Sequence, residues 1–396
     1  MQINFKNIKF LGGHKKIVKQ GLEPFNKVCL EFLSDFSKEL FKSKKTKKYS
    51  DLIALAFWCR KKNLEKIKND HRDKYIRKGV GILLHIPPNN VPISSIYSFI
   101  FGLISGNSNI IRIPNYNLEN IKLVLNLINK IFNKKKYLNI KKNNLLIFYE
   151  KNDEISQKLS SQVDGRIIWG GDKTIEVFKK YKTKNYSTDL FFIDKYSISI
   201  LNSNKLKFLK GKNIEKLSEA FYNDTFLMDQ NACSSPHLIF WTKKSSIKEI
   251  EKFWKNLDLI VKKKFLLNEF ISSKRLYLLN NYLINNNNLK LDNKYKNFFL
   301  INIKNIKNNI FNYRGFSGIF FQTKLKSNLN IKNYLSRKIQ TITYFGLKKN
   351  EIENFVKKND LRGIDRIVPV GQSLNLDLIW DGNNIVHKLT RIIDIK

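Results

Sequence analysis

The sequence has little cysteine: Cys29, Cys59 and Cys233 are the three in 396 residues. An odd number with no Cys-x-x-Cys pair excludes a disulfide framework and a cysteine zinc site, and it suits a reducing, cytoplasmic setting. Long apolar runs are missing too. The longest, Ile93 to Ser105, is interrupted by Ser and Gly and falls short of the ~20 residues a membrane span needs. The opening Met1-Gln2-Ile3-Asn4-Phe5 has no basic stretch followed by an apolar one, so no signal peptide is expected. There is no Ser-nucleophile elbow, no P-loop, no metal-ligand cluster and no internal repeat, which removes several hydrolase, nucleotidase and metalloenzyme readings.

Acidic residues are scarce, 33 against 73 Lys and Arg, leaving a formal net charge of +40. Dense positive charge can serve nucleic acid by neutralising phosphates and releasing counterions. Here, however, Lys, Asn, Ile, Phe and Tyr are inflated together, and Asn and Ile have no electrostatic role. A genome rich in A and T gives that mixture. The basic runs at 44–48, 134–136 and 262–264 are short and scattered. The charge therefore reads as solvated surface, and no nucleic-acid partner is expected.

What is present is the material of a folded two-lobed protein. A length of 396 residues exceeds the roughly 250–300 at which single cores stop growing. Apolar residues make up 42%, with 29 Phe and 16 Tyr. Residues 22–70 show helical spacing. Val80 to Ile86 is then a continuous apolar run, as in a strand buried on both faces. A turn, Pro87-Pro88-Asn89-Asn90-Val91-Pro92, leads to a helix over Ile93–Ser105. Strands at 109–113, 145–149, 166–169 and 190–193 alternate with helices at 118–132, 154–159 and 173–181. This alternation predicts a doubly wound, mostly parallel sheet, whose ligands bind beyond the carboxyl ends of the strands. The expected domains are helices and a dinucleotide-binding domain over 1–205, a catalytic domain holding Cys233 over 206–365, and a tail over 366–396. That tail would return to the first domain or to an oligomer interface. The run Asn285–Asn288 reads as a loop and a variable insertion.

Cys233 lies in Asp229-Gln230-Asn231-Ala232-Cys233-Ser234-Ser235-Pro236, among small and polar residues, whereas Cys29 and Cys59 lie in apolar helical stretches and read as packing. On these residues alone, a packed thiol and a nucleophile remain alternatives for Cys233. Asn90 in its turn can cap backbone locally or donate to an oxyanion. Gly170-Gly171-Asp172 follows a strand and opens a helix whose amides can face a phosphate, while Gly79-Val80-Gly81 opens a strand and is no dinucleotide fingerprint. His85 reads as structural, and His237 is expected to point away from Cys233.

Together these segments resemble the aldehyde dehydrogenase superfamily and, more narrowly, the acyl-CoA reductase (LuxC) family, which supplies fatty aldehyde in bacterial luminescence. The likeness rests on Gly79 to Pro92, Gly102 to Asn107 with Arg112, Val163 to Asp172, and Asp229 to Pro236. A fifth segment joins Arg366-Ile367-Val368-Pro369-Val370-Gly371 to Trp380-Asp381-Gly382. The resemblance implies an α/β, aldehyde-dehydrogenase-like fold, with a doubly wound nucleotide-binding domain and a smaller α/β catalytic domain. It implies Cys233 as nucleophile, with a lowered thiol pKa, and Asn90 as the side-chain half of the oxyanion hole. Arg112 would sit where a Lys usually touches the adenosine ribose, and Gly170, Gly171 and Asp172 under the pyrophosphate. No metal is implied. Phe191 occupies the place of the Glu that activates water in aldehyde-oxidising members. That favours thioester reduction over aldehyde oxidation; the rival readings are a basic nucleic-acid-binding protein first, an aldehyde-oxidising dehydrogenase second and a scaffold that binds acyl groups without chemistry third. Asn115 stands where an acidic residue helps select NAD, so NADPH is the expected cofactor. Long-chain acyl-CoA or an acyl-protein would be the substrate, an acyl-protein synthetase a partner, and a homo-oligomer the assembly.

Overall fold

Continuous apolar runs joined by amphipathic helices require sheets covered on both faces. The computed structural model, which describes residues 7–71, 73–209, 211–242, 245–284, 286–306, 309–325, 328–359 and 361–396, contains two of them. Met1–Phe5, read for a leader, and Asn285 of the asparagine run lie outside these residues. The chain divides into two units, Met1–Ile193 with Asn383–Lys396, and Asp194–Gly382.

The first unit contains strands β1 (Lys9–Gly13), β2 (Ile76–Gly79), β3 (Ile82–Ile86), β4 (Ser108–Arg112), β5 (Asn144–Phe148), β6 (Gly165–Gly170) and β7 (Thr188–Ile193). Its main sheet runs β1-β5-β4-β3-β6-β7, parallel except for the antiparallel edge strand β1. The strand order reverses between β3 and β6. That is the switch point of a doubly wound sheet, where ligands bind beyond the carboxyl ends. All five residues of β3 are buried. The polar one, His85, is held between Ser98 Oγ at 2.8 Å and Asn109 Oδ1 at 2.9 Å. Burial drives its pKa down to about 4, so it stays neutral and structural.

The expected strand 80–86 is broken at Gly81, whose φ is +135°. A Cβ there would lie 2.3 Å from Asp164 Oδ2, so glycine is required. Upstream of this break, β2 turns aside and pairs antiparallel with the strand Thr390–Ile393. The helix Lys27–Lys42 is capped by Asn26 and buries Phe32 and Phe36. Phe32 stacks on Phe132 at 5.3 Å and meets Phe99 edge-on at 6.3 Å. Each such buried ring contributes roughly 1.5–3 kcal/mol.

The second unit contains β8 (Tyr196–Leu201), β9 (Pro236–Trp241), β10 (Leu289–Asp292), β11 (Phe299–Ile303), β12 (Ile319–Lys324), β13 (Ile339–Phe345) and β14 (Arg366–Pro369). They form one sheet in the order β10-β11-β12-β9-β8-β13-β14, antiparallel only at the β10 edge. Because these strands are parallel, the segments that enter them gather along one edge of the sheet. Those segments carry Asp194-Lys195 before β8, Cys233 before β9, Arg314 before β12 and Asp365 before β14. Among the described residues no helix is long and apolar enough to cross a membrane, and no group of three or more His, Cys, Asp or Glu could hold a metal.

Candidate active site

In the second unit, the helix Lys212–Thr225 ends in a turn of 3-10 helix, and the chain then takes two consecutive left-handed residues, Asp229 (φ 51°) and Gln230 (φ 55°). Each costs about 1–2 kcal/mol without compensation. Gln230 supplies it. Its amide N–H donates to Thr225 O at 2.8 Å, its Nε2 donates to Pro236 O at 3.2 Å and Ile319 O at 3.3 Å, and its Oε1 accepts from Gly318 N at 2.8 Å. Ser317 N donates to Asp229 O at 3.1 Å. A Cβ on Gly315 would lie 1.8 Å from Ile319 O and 3.0 Å from Gln230 Nε2. The Asp-Gln pair thus fixes the loop that delivers Cys233.

Cys233 is half-buried. Its carbonyl accepts from Ser197 Oγ at 2.6 Å, and that hydroxyl accepts from Thr341 N at 3.1 Å. Its Sγ lies 3.8 Å from Asp194 Oδ1, within reach of a thiol hydrogen bond. Arg314 donates through both terminal nitrogens to the same oxygen at 3.1 Å, and one of them also donates to Lys195 O at 2.8 Å. Burial, with the Asp194 and Asp381 carboxylates adding to it, pushes the thiol up to about 11, against the Lys195 backbone amide and the Arg314 guanidinium. The expected lowering of the thiol pKa is therefore not found. Desolvation and two carboxylates outweigh one cation.

The segments at the end of this unit support the site. Lys195 Nζ meets Asp365 Oδ2 at 2.5 Å, and Gln340 Nε2 donates to Asp381 Oδ1 at 2.5 Å. Burial raises Asp381 to about 6, with Lys195 opposing. Arg366 stacks over Trp380 at 4.5 Å and donates to Ser373 O at 3.0 Å and Asn375 O at 2.9 Å. Asp224 accepts from Gly371 N at 2.6 Å and Ser373 N at 2.9 Å. His237 is buried against Tyr196 at 5.2 Å, and burial lowers it to about 3. It is a neutral packing residue.

In the first unit, the carboxyl ends of the neighbouring strands β4, β3 and β6 carry Arg112, the 87–92 turn and Gly170-Gly171. At the start of the helix Ser94–Ile104 the Ser94 hydroxyl donates to Val91 O and the Ser95 hydroxyl to Pro92 O at 2.7 Å, and no side chain among the described residues caps its first amides. Asn90 is exposed and its amide makes no hydrogen bond among the described residues. Arg112 Nε donates to Tyr149 O at 3.1 Å and its guanidinium lies 5.1 Å from the Tyr149 ring, leaving the terminal nitrogens without a hydrogen-bond partner among the described residues. Gly171 precedes the helix Asp172–Lys180, and a Cβ there would meet nothing within 4 Å. The space beside Gly171, at the start of that helix, is open. Phe191 is half-buried against the core of this unit with Lys179 Nζ 5.6 Å from its ring, so its position holds no base.

Two residues of the second-unit site were not singled out from the sequence, Asp194 and Arg314. Asp194 was visible only as a neighbour of Phe191, and nothing around Arg314 separated it from the many other basic residues.

A family model described as acyl-CoA reductase (LuxC) matches residues 59–393. No curated protein matches the chain. Among solved structures it is similar to an oxidoreductase from Marinobacter aquaeolei (TM-score 0.65, 11% identity, 96% of this chain and 87% of that one). It is also similar to glyceraldehyde-3-phosphate dehydrogenase from Methanocaldococcus jannaschii complexed with NADP (0.62, 13%, 93% and 88%). A third is lactaldehyde dehydrogenase from Escherichia coli (0.61, 11%, 92% and 85%). The fold is that of the aldehyde dehydrogenases, and this chain, an oxidoreductase, belongs to the acyl-CoA reductase (LuxC) family.

Proposed function

We propose that the chain reduces a long-chain acyl thioester to the aldehyde with NADPH, through an acyl group carried on Cys233. The observation that carries this reading is the Asp194 carboxylate 3.8 Å from the Cys233 thiol and held by Arg314. A thiol this strongly protonated needs a base at the moment of attack. Asp194 accepts the thiol proton as Sγ adds to the thioester carbonyl. The Cys233 backbone N–H stabilises the oxyanion, with Asn90 in the role that the family resemblance gives it. As the carbon–sulfur bond to the donor breaks, Asp194 returns the proton to the leaving thiolate, and the acyl group stays on Cys233. NADPH would supply the hydride that releases the acyl group as aldehyde, leaving the Cys233 thiolate to take a proton from water.

The cofactor assignment draws on the unpartnered nitrogens of Arg112, which suit a 2′-phosphate, and on the open helix start at Gly171. The Methanocaldococcus enzyme of the same fold was crystallised with NADP. CoA, or an acylated partner of the acyl-protein synthetase kind, is the proposed donor, and a homo-oligomer the proposed assembly. The test is NADPH consumption with a panel of acyl-CoAs, with aldehyde identified as product. Brisk oxidation of free aldehyde to acid without CoA, and no reduction of any thioester, would overturn the reading.

Two outcomes follow for the first-unit residues. Arg112→Ala should lose about tenfold or more in the specificity constant for NADPH, with little change for NADH, since one charge-assisted contact is worth roughly 1.5–3 kcal/mol. Steady-state kinetics with both cofactors measures this. Equal losses for both would assign Arg112 to the shared ribose instead. Asn90→Ala should lower the rate of Cys233 acylation by about 10²–10³-fold, as removal of an oxyanion donor does. Single-turnover mass spectrometry reads it, and an unchanged rate would remove Asn90 from the oxyanion hole.

A further inference from the structure

The helix Glu269–Ile284 packs on the second unit through Ile271, Arg275 and Leu279, four residues apart and 9%, 4% and 5% exposed. That spacing defines one buried face. Away from it stand Phe270, Tyr277 and Ile284, which are 70%, 67% and 77% exposed. They are seven residues apart and so fall on one stripe, about 21 Å long at 1.5 Å per residue. The turn before the helix exposes Leu266 at 90% and Leu267 at 54%. Isolated apolar residues on a surface are ordinary, but five large exposed apolar residues within one segment call for a covering partner.

The charge around this stripe is mostly positive. Lys262, Lys263 and Lys264 close the preceding helix, and Lys274 lies between Phe270 and Tyr277, its Nζ 5.8 Å from the Phe270 ring. From Leu259 to Leu291, Glu269 is the one acidic residue. We infer that this segment docks on the face of an anionic phospholipid bilayer, with the apolar stripe at the headgroup boundary and the lysines on lipid phosphates. An apolar face flanked by lysine is the composition of interfacial helices. Nucleic acid would use the lysines and leave Leu266, Leu267 and Ile284 in water. The inference is independent of the chemistry assigned to Cys233.

Sedimentation of the whole protein with vesicles tests it, using phosphatidylcholine alone and phosphatidylcholine with about one third phosphatidylglycerol at about 0.1 M salt. Binding should be about tenfold or more tighter to the anionic vesicles and should weaken as salt is raised. The variant carrying Phe270→Glu, Tyr277→Glu and Ile284→Glu should lose that binding, by about tenfold or more, while keeping its thermal midpoint, because the three side chains are exposed. Lys262→Gln with Lys263→Gln should weaken binding to the anionic vesicles only. No binding of the wild type, or equal binding by the triple variant, would overturn the inference. A wild type that self-associates in light scattering, with a monomeric triple variant, would overturn it in favour of a second copy on this face.

Discussion

Replacing Cys233 by alanine is expected to abolish acyl-enzyme formation and to lower thioester reduction on the order of 10⁴-fold or more, since neither of the other two thiols can carry the acyl chain. Cys29 and Cys59 cannot substitute. They are 1% and 0% exposed, and burial pushes Cys29 up to about 12 and Cys59 higher still. Intact-protein mass spectrometry after incubation with an acyl-CoA, without NADPH, reads the adduct directly. The wild type should gain the mass of one acyl group, and the variant none. Aldehyde production at the wild-type rate by the alanine variant would refute a covalent route.

Asp194→Asn should move two properties of the same thiol in opposite directions. The carboxylate raises the thiol pKa, and the Arg314 guanidinium lowers it. Removing the negative charge leaves the cation beside sulfur, so the pKa falls and more thiolate is present at neutral pH. Alkylation of Cys233 by iodoacetamide at pH 7.5 should accelerate by about threefold or more. Acyl transfer should slow by about a hundredfold, because the amide cannot take the proton and return it to the leaving thiolate. The alkylation profile should rise through about pH 11 in the wild type and at lower pH in the variant. If both rates increased, Asp194 would be only a device that keeps the thiol protonated, and the base would lie elsewhere.

The parallel sheet of the first unit was legible because strands buried on both faces leave apolar runs that cannot be mistaken for surface helices. Its antiparallel edge strand, Lys9–Gly13, was not: the segment KFLGG is short, half exposed and ends in glycines. Strands β10 to β13 went unread for a related reason, since the asparagine-rich stretch around them masks where apolar segments begin. Cys233 stood out by its small polar neighbours, which left a packed thiol and a nucleophile as alternatives. Asp194 and Arg314 were not legible, because they are 120 residues apart and meet only through the topology of the sheet. β8 and β12 flank β9 in parallel, so the segments entering all three strands share one edge. A sequence shows which residues enter strands but not which strands become neighbours.

The pairing of Thr390–Ile393 with β2 has a consequence for the order in which the protein can be made. A ribosome delivers the whole of the second unit before it delivers the residues that complete the first. Until then, Val80 N–H and the Asn107 side-chain amide lack Leu389 O, which they meet at 3.3 and 3.0 Å. The Asn107 amide keeps its bond to Ser105 O at 3.3 Å, and the bond still missing is worth about 0.5–1.5 kcal/mol. The nascent first unit is thus held short of its final stability for as long as its neighbour is being synthesised. A chain interrupted near residue 382 would carry every cysteine-site residue described above, and its defect would lie in the other unit.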